Sequence, residues 1–265
     1  MPIIGIDYDK CINCGACLNA CAHPDLRFKR EKNQDRIIFG DPKKTCNLCG
    51  QCIAQCPENA ILYEGMGETI TFDGVKNPEE IVSYEKILKF LIANRSIRQY
   101  KKRKVPLEDL NKVIKAMEYA PTGANMRSEH FTIISDQDKI KELSDAIQKE
   151  ITPEFGEQLT SLEPIFRSPV YYDAPHVIFV SSPMNMVMEG FNMGVIITYG
   201  RLAAQALGLG TCWNGWTHLA INKNPKIKKL ANLRGYLATA FTIGYPDVKF
   251  YRIPPRSSKR IKVIE

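Results

Sequence analysis

Eight of the chain's nine cysteines fall in two short runs. The first, CINCGACLNAC, places thiols at Cys11, Cys14, Cys17 and Cys21. The second, CNLCGQCIAQCP, places them at Cys46, Cys49, Cys52 and Cys56. Both follow the spacing C-x2-C-x2-C-x3-C, and the second run repeats the first after 35 residues. Cysteines two apart in a turning loop can point at neighbouring corners of one metal–sulfur cluster, with backbone amides left over for its sulfides. Thiolate is the ligating form, and iron lowers the thiol pKa enough to hold it. Zinc and disulfides are the competing readings. Zinc ribbons use two C-x2-C pairs, usually without a third and fourth cysteine in each half. Disulfides do not persist in a reducing compartment.

The fourth cysteine of each run is too far round its loop to join the same cluster easily. This double pattern resembles the bacterial two-cluster ferredoxins over residues 1–65, in which the fourth cysteine ligates the other cluster. The resemblance implies one 4Fe–4S cluster on Cys11, Cys14, Cys17 and Cys56, and a second on Cys46, Cys49, Cys52 and Cys21. PENAILYEG, after Cys56, looks like the short strand that closes such domains. One departure is that Ala22 follows Cys21 and proline comes only at Pro24, so the second cluster is expected to differ in potential or exposure. His23 reads as a solvated loop residue.

A cluster domain moves single electrons, so the remaining two hundred residues must use them. Residues 66–83 read as a Gly-rich polar linker with one possible strand. NPEEIVSYEKILKFLIAN has helix-start chemistry at Asn77, Pro78, Glu79 and Glu80. PLEDLNKVIKAMEYA and DQDKIKELSDAIQKEI are further helices, the latter amphipathic. HFTIISD, HVIFVSS and GYLATAFTIGYP contain strands. Residues 186–208 form a long helix, apolar nearly all round, hence buried on several sides, with a second subunit as its cover or a central core as the alternative. Gly190, Gly194 and Gly200 on it are expected to permit close packing. No regular βαβ repeat appears, so the fold class is α+β.

Three segments could hold a phosphate-bearing cofactor. NRSIRQY sets Arg95 and Arg98 three residues apart with Ser96 between, and arginine suits bidentate phosphate contacts. APTGANMRSEHF is a punctuated turn holding Pro121, Thr122 and Asn125. LAAQALGLGTCWNGW ends a helix at Gly208 and Gly210 and runs into a strand. The closing GYPDVKFYRIPPR adds Arg252 and Arg256.

In this order and spacing these segments resemble the FMN-dependent nitroreductase family over residues 84–260, which places a nitroreductase-like domain at 84–265. The resemblance implies a homodimer with FMN at the subunit interface. Arg95, Ser96 and Arg98 would take the phosphate and ribityl end, joined by Arg256 and Arg252. Pro121, Thr122 and Asn125 would line the ring, partly from the partner, and backbone amides around Asn214 and Gly215 would face its reactive edge. Asn94 stands where many relatives have arginine, and Arg127 and Ser128 where many have Gln-Pro. Cys212 reads as a buried small hydrophobe, and His176 and His130 as core or edge residues. His218 is a candidate proton donor beside the ring. No Ser-His-Asp or paired-carboxylate arrangement is evident, so no catalytic side chain is assigned.

The net charge of +7 is uneven. Residues 1–80 carry nine basic against twelve acidic residues, and residues 81–265 carry 27 against 17. A basic half can mark a nucleic-acid binder, but a phosphate-bearing cofactor and a solvated surface account for it, KKRK at 101–104 being an exposed turn. No apolar run reaches membrane-spanning length and the start lacks signal-peptide chemistry, so a cytoplasmic location is expected. The expected function is an iron–sulfur flavoprotein oxidoreductase, passing electrons from the clusters to FMN and on to a nitroaromatic, quinone or activated double bond. An external ferredoxin or NAD(P)H is the expected donor. The alternative is an electron-transfer or redox-sensing module serving a protein partner.

Overall fold

The computed structural model describes residues 3–23, 27–31, 36–72, 74 and 77–264; Pro24 lies outside them. The chain separates into two compact units, Met1–Ile81 with Gly123–Met126, and Val82–Thr122 with Arg127–Glu265.

The first unit is small and pseudo-repetitive. Strand β1 (Ile3–Ile6) pairs antiparallel with β4 (Ile61–Tyr63), and β2 (Phe28–Glu31) with β3 (Arg36–Phe39). Each cysteine run wraps into a loop that ends in a short helix, α1 (Ala16–Ala20) or α2 (Gln51–Ala54). The loops repeat in backbone detail. Asn13 and Leu48 both have φ 58°, and Gly15 and Gly50 both adopt the left-handed region at the helix start. That conformation costs glycine least, which explains the Cys-Gly pair in both runs. The strand expected after Cys56 is β4. The strand expected within 66–78 does not form among the described residues, which are exposed there.

The second unit is built on a four-stranded antiparallel sheet in the order β5 (His130–Ile134), β6 (His176–Ser182), β8 (Leu237–Gly244), β7 (Gly210–Asn214). Side chains alternate faces along a strand, and both faces of the central strands are covered. Val177, Phe179, Ala238 and Ala240 pack with Ile140, Leu143, Ile147 and Ile151 of α5 (Gln137–Thr160) and with Ala220 and Ile221 of α7 (Gly215–Lys223). Ile178, Val180, Phe241 and Ile243 pack with Leu110, Val113 and Met117 of α4 (Leu107–Glu118) and with Met193, Ile196 and Ile197 of α6 (Val187–Ala206). Helix α8 (Pro225–Leu230) precedes β8. The fold is α+β.

Two expectations are corrected. The helix expected from Asn77 begins at Tyr84 as α3 (Tyr84–Ile92), because Pro78–Glu80 makes only one 3-10 turn and the Asn77 side chain bonds Glu80. Helix α5 runs past Ile151 through Pro153, with its irregular residue at Phe155. Helix α6 buries Met193, Ile196 and Ile197 within the chain and leaves Val187, Phe191, Val195 and Tyr199 exposed, so the expected burial on several sides rests on a second subunit as cover and not on the alternative of a central core helix. Of its glycines, Gly200 meets the expectation of close packing, since a Cβ there would come within 2.7 Å of Met117 Sδ. Gly190 has open space around it.

Candidate active site and cluster cages

In the first unit the eight run cysteines gather around two small cavities. Cys11, Cys14, Cys17 and Cys56 line one, with Ile6, Ile37 and Ile61. Cys21, Cys46, Cys49 and Cys52 line the other, with Ile3, Phe28 and Phe39. The structure thus brings together around each cavity the crossed set that the resemblance implies. Among the described residues no three His, Cys, Asp or Glu close on one ion's position, so each set surrounds a space rather than a point.

Two of the thiols, Cys17 and Cys52, do not ionise easily by themselves. Burial pushes Cys17 up, and burial together with Cys46 and Cys49 pushes Cys52 up to about 11. Four thiolates in one apolar cage need a cationic core to hold them, so the donor set fits an iron–sulfur cluster. The two crossing sulfurs are served differently. Cys56 Sγ accepts the Ala60 backbone N–H at 3.2 Å, whereas Cys21 Sγ accepts Arg27 Nη1 at 3.6 Å. Arg27 is 5% exposed, its Nη2 donates to the Thr45 carbonyl, and its Nε is buried without a partner among the described residues. Asp41 accepts from the amides of Thr45 and Cys46 at 2.8 and 2.9 Å. Burial alone would raise its carboxyl, but these amides hold it below the usual range. Neither Arg27 nor Asp41 stood out in the sequence. The only signal was their closeness to a cysteine run.

In the second unit a cleft of about 330 Å³ is lined by Arg98, Phe155, Tyr172, Cys212, Trp213, Asn214, Gly215, Trp216 and Leu219. Three of the residues expected at the flavin, Arg98, Asn214 and Gly215, meet here. The segment carrying Arg98 is held to the sheet by a parallel bridge between Ser96 and Thr211, with Ile97 N donating to Thr211 O at 2.9 Å. Gly210 makes this approach possible, since a Cβ there would fall 2.6 Å from Ile97 Cγ1. Tyr100 pins the segment's far end through its hydroxyl, 2.6 Å from the Ile97 carbonyl and 2.7 Å from Thr242 Oγ1.

The Arg98 guanidinium lies 5.7 Å from the centroid of the Tyr172 ring. Among the described residues neither Arg95 nor Arg98 forms an ion pair. An unpaired guanidinium beside an open cleft suits an anionic group. The Asn214 side chain is committed elsewhere: it accepts from Thr217 N at 2.7 Å, capping α7, and donates to the Val170 carbonyl at 2.5 Å. What Asn214 and Gly215 can offer a ligand is backbone, and the position of a Cβ on Gly215 faces open space.

Other expected residues lie outside this wall. Ser96 is half-buried beside Cys212. Pro121 is exposed, and Thr122 accepts from Arg127 N at 3.2 Å. Asn125 belongs to the first unit, where its Nδ2 donates to the Asn47 carbonyl at 2.9 Å. Arg252 and Arg256 are exposed in the segment after β8. Asn94 bonds Gln205 Oε1 at 2.6 Å, which ties the strand segment to α6.

The bland readings of the remaining residues fit what is seen. Cys212 is 3% exposed and burial raises its thiol. His176 is buried and accepts Val105 N at Nε2, which leaves Nδ1 to face Ser135 Oγ at 2.6 Å. His130 is exposed on edge strand β5, and His23 is exposed. His218 is half-buried, with Nδ1 3.3 Å from Asn222 Nδ2, and does not line the cleft. Sequence reasoning missed Tyr172 and Trp216 in the wall, and Arg201, whose Nε donates to Thr211 Oγ1 at 3.3 Å. Pro169 and Pro175, bracketing the turn before β6, were the available signal for Tyr172.

Comparison with known proteins matches this division. Residues 10–60 match the 4Fe-4S dicluster domain, and residues 92–245 the nitroreductase family. A provisionally named NADH dehydrogenase/NAD(P)H nitroreductase of Archaeoglobus fulgidus is 27% identical over 184 residues, 65% of this chain and 93% of that protein. A provisionally named oxidoreductase of Bacillus subtilis is 33% identical over 85 residues, 29% of this chain but only 9% of that protein. A nitroreductase of Bacteroides fragilis, solved with bound FMN, superposes with a TM-score of 0.58 at 24% identity, over 68% of this chain and 99% of that one. No helix among the described residues is long and apolar enough to cross a membrane. With the family matched over more than half its length, the chain is a member of the nitroreductase family that carries a 4Fe-4S dicluster domain ahead of the family domain.

Proposed function

We propose that the protein is an iron–sulfur flavoprotein oxidoreductase in which the cluster domain feeds electrons to FMN in the nitroreductase domain, for delivery to a small electrophile such as a nitroaromatic, quinone or activated double bond. The observation that carries the reading is the cleft that joins Arg98, which has no carboxylate partner among the described residues, to the exposed Gly215. FMN, when bound, supplies the exchange between single electrons and electron pairs. The chain's part is to hold it. Arg98, with Arg95 and Ser96, takes the phosphate end, and the amides at Asn214 and Gly215 meet the ring edge. Backbone donors there stabilise negative charge on the reduced ring. Cys11, Cys14, Cys17 and Cys56 hold one cluster, and Cys21, Cys46, Cys49 and Cys52 the other. The exposed apolar side of α6 supports a second copy of the chain as its cover.

Two measurements test this. Arg98→Ala should weaken FMN binding by about 1.5–3 kcal/mol, the scale of a hydrogen bond to a charged group, with the cluster spectrum intact. Unchanged affinity means the phosphate site lies elsewhere. Deleting residues 1–76 should abolish reduction of acceptors by an external ferredoxin while chemically reduced FMN still reacts. An undiminished rate removes the cluster domain from the electron path.

A further inference from the structure

We propose that Arg27 sets the two clusters apart in potential, making the one held by Cys21, Cys46, Cys49 and Cys52 the more easily reduced, so that a single electron entering the protein settles there. The inference rests on the two-cluster reading above. Reduction adds one electron, from a one-electron donor such as reduced ferredoxin or dithionite, and hence one negative charge to a cluster. Hydrogen bonds to ligand sulfurs and local charge are among the levers that set how readily it is accepted.

The two cages repeat in backbone but differ in charge. In the first, the crossing sulfur of Cys56 receives a neutral donor, the Ala60 amide. The charged group in the wall of that cavity is Glu58. Arg30 approaches Gly15 on that side but is solvent-exposed and does not line the cavity. In the second cage, the crossing sulfur of Cys21 receives a guanidinium, and Arg27 lines the cavity itself. Exposed charges are screened by water and salt, and buried ones far less so; Arg27 is 5% exposed.

The guanidinium is also fixed in place, because Nη2 is anchored on the Thr45 carbonyl, one residue before Cys46. Among the described residues its Nε is a third buried donor, with no acceptor from the chain. Asp41 is the opposing charge. Its oxygens are occupied by the amides of Thr45 and Cys46 and the Thr45 hydroxyl, so the charge that touches a ligand sulfur is positive. Arg27 acts through Cys21 and is a positioning and tuning residue, not a catalytic one.

The test is an anaerobic redox titration of the full-length, iron-loaded protein, followed by EPR. Wild type should show two one-electron waves. Arg27→Met should make one cluster at least tenfold harder to reduce, a fall of 59 mV or more for one electron, and leave the other within twofold. Arg27→Lys, which keeps the charge but loses the fork, should give a smaller fall in the same wave. The wave that moves must differ from the one that Cys14→Ser perturbs. Two unmoved waves, or two that move together, overturn the proposal. Should Arg27→Met lose iron, Arg27→Lys decides: a fall in one wave supports the proposal, and an unchanged or raised wave overturns it. A wild-type protein that takes up no iron and sulfide defeats the two-cluster reading itself, a result distinct from two normal waves indifferent to Arg27.

Discussion

The two units are stabilised by different means. In the second, apolar layers cover both faces of one sheet, and its large core residues Tyr171, Phe179 and Phe241 are fully buried. Burial of that kind is sufficient to drive folding. The first unit has a thin interior of Ile3, Ile6, Phe28, Ile37, Ala60 and Ile61, and cysteines make up much of what packs against it. Small domains bury too little surface to be stable without help, and metal binding then becomes part of the folding free energy. The contrast predicts one chain that joins a unit folding on hydrophobic burial to a unit folding on its cofactor.

The largest expected effect tests that contrast directly. Removing iron with a chelator should unfold the first unit and leave the second folded, as seen by limited proteolysis and by retention of the second unit's thermal transition. Loss of both transitions together would erase the distinction. Next in size, Phe179→Ala should destabilise the second unit by about 3–5 kcal/mol in urea unfolding, with the cluster absorbance unchanged. Gly210→Ala forces a Cβ against Ile97 and should cost about 1–3 kcal/mol, the usual range for overpacking. It should also disturb FMN binding through the Arg95–Arg98 segment. The smallest effect is a pH dependence. Burial lowers the His176 pKa below its unfolded value near 6.5, so the unfolded chain takes up the proton first. Stability should fall as pH drops below about 6.5, and the fall should be shallower in His176→Gln.

The cluster cages were the most legible feature, because their ligands lie within loops whose geometry the spacing dictates. The strands β5, β6 and β8 were legible as short apolar runs. The start of α3 was not, because Pro78 and two glutamates mimic a helix start while Ser83 occupies the N-cap position. The helix read as far as Ile151 continues through Pro153, because the packed face formed by Ile147, Ile151 and Leu159 extends past it. In the cleft wall, Arg98, Asn214 and Gly215 lie in the segments that carry the family resemblance. Tyr172 and Arg27 were missed because their roles depend on distant partners. Arg27 reaches Thr45, 18 residues on, and nothing local to either residue encodes that contact.

The repeated loops also place their second cysteines alike, with Cys14 and Cys49 exposed while Cys17 is buried. Each cage thus has one corner turned to the medium. Dissolved oxygen and peroxide reach thiolate ligands by access, so oxidative damage should begin at these two positions. Because each run lends one cysteine to the other cage, loss of either corner loosens a loop that both cages share. Cluster loss in air is therefore expected to follow access to these two exposed corners.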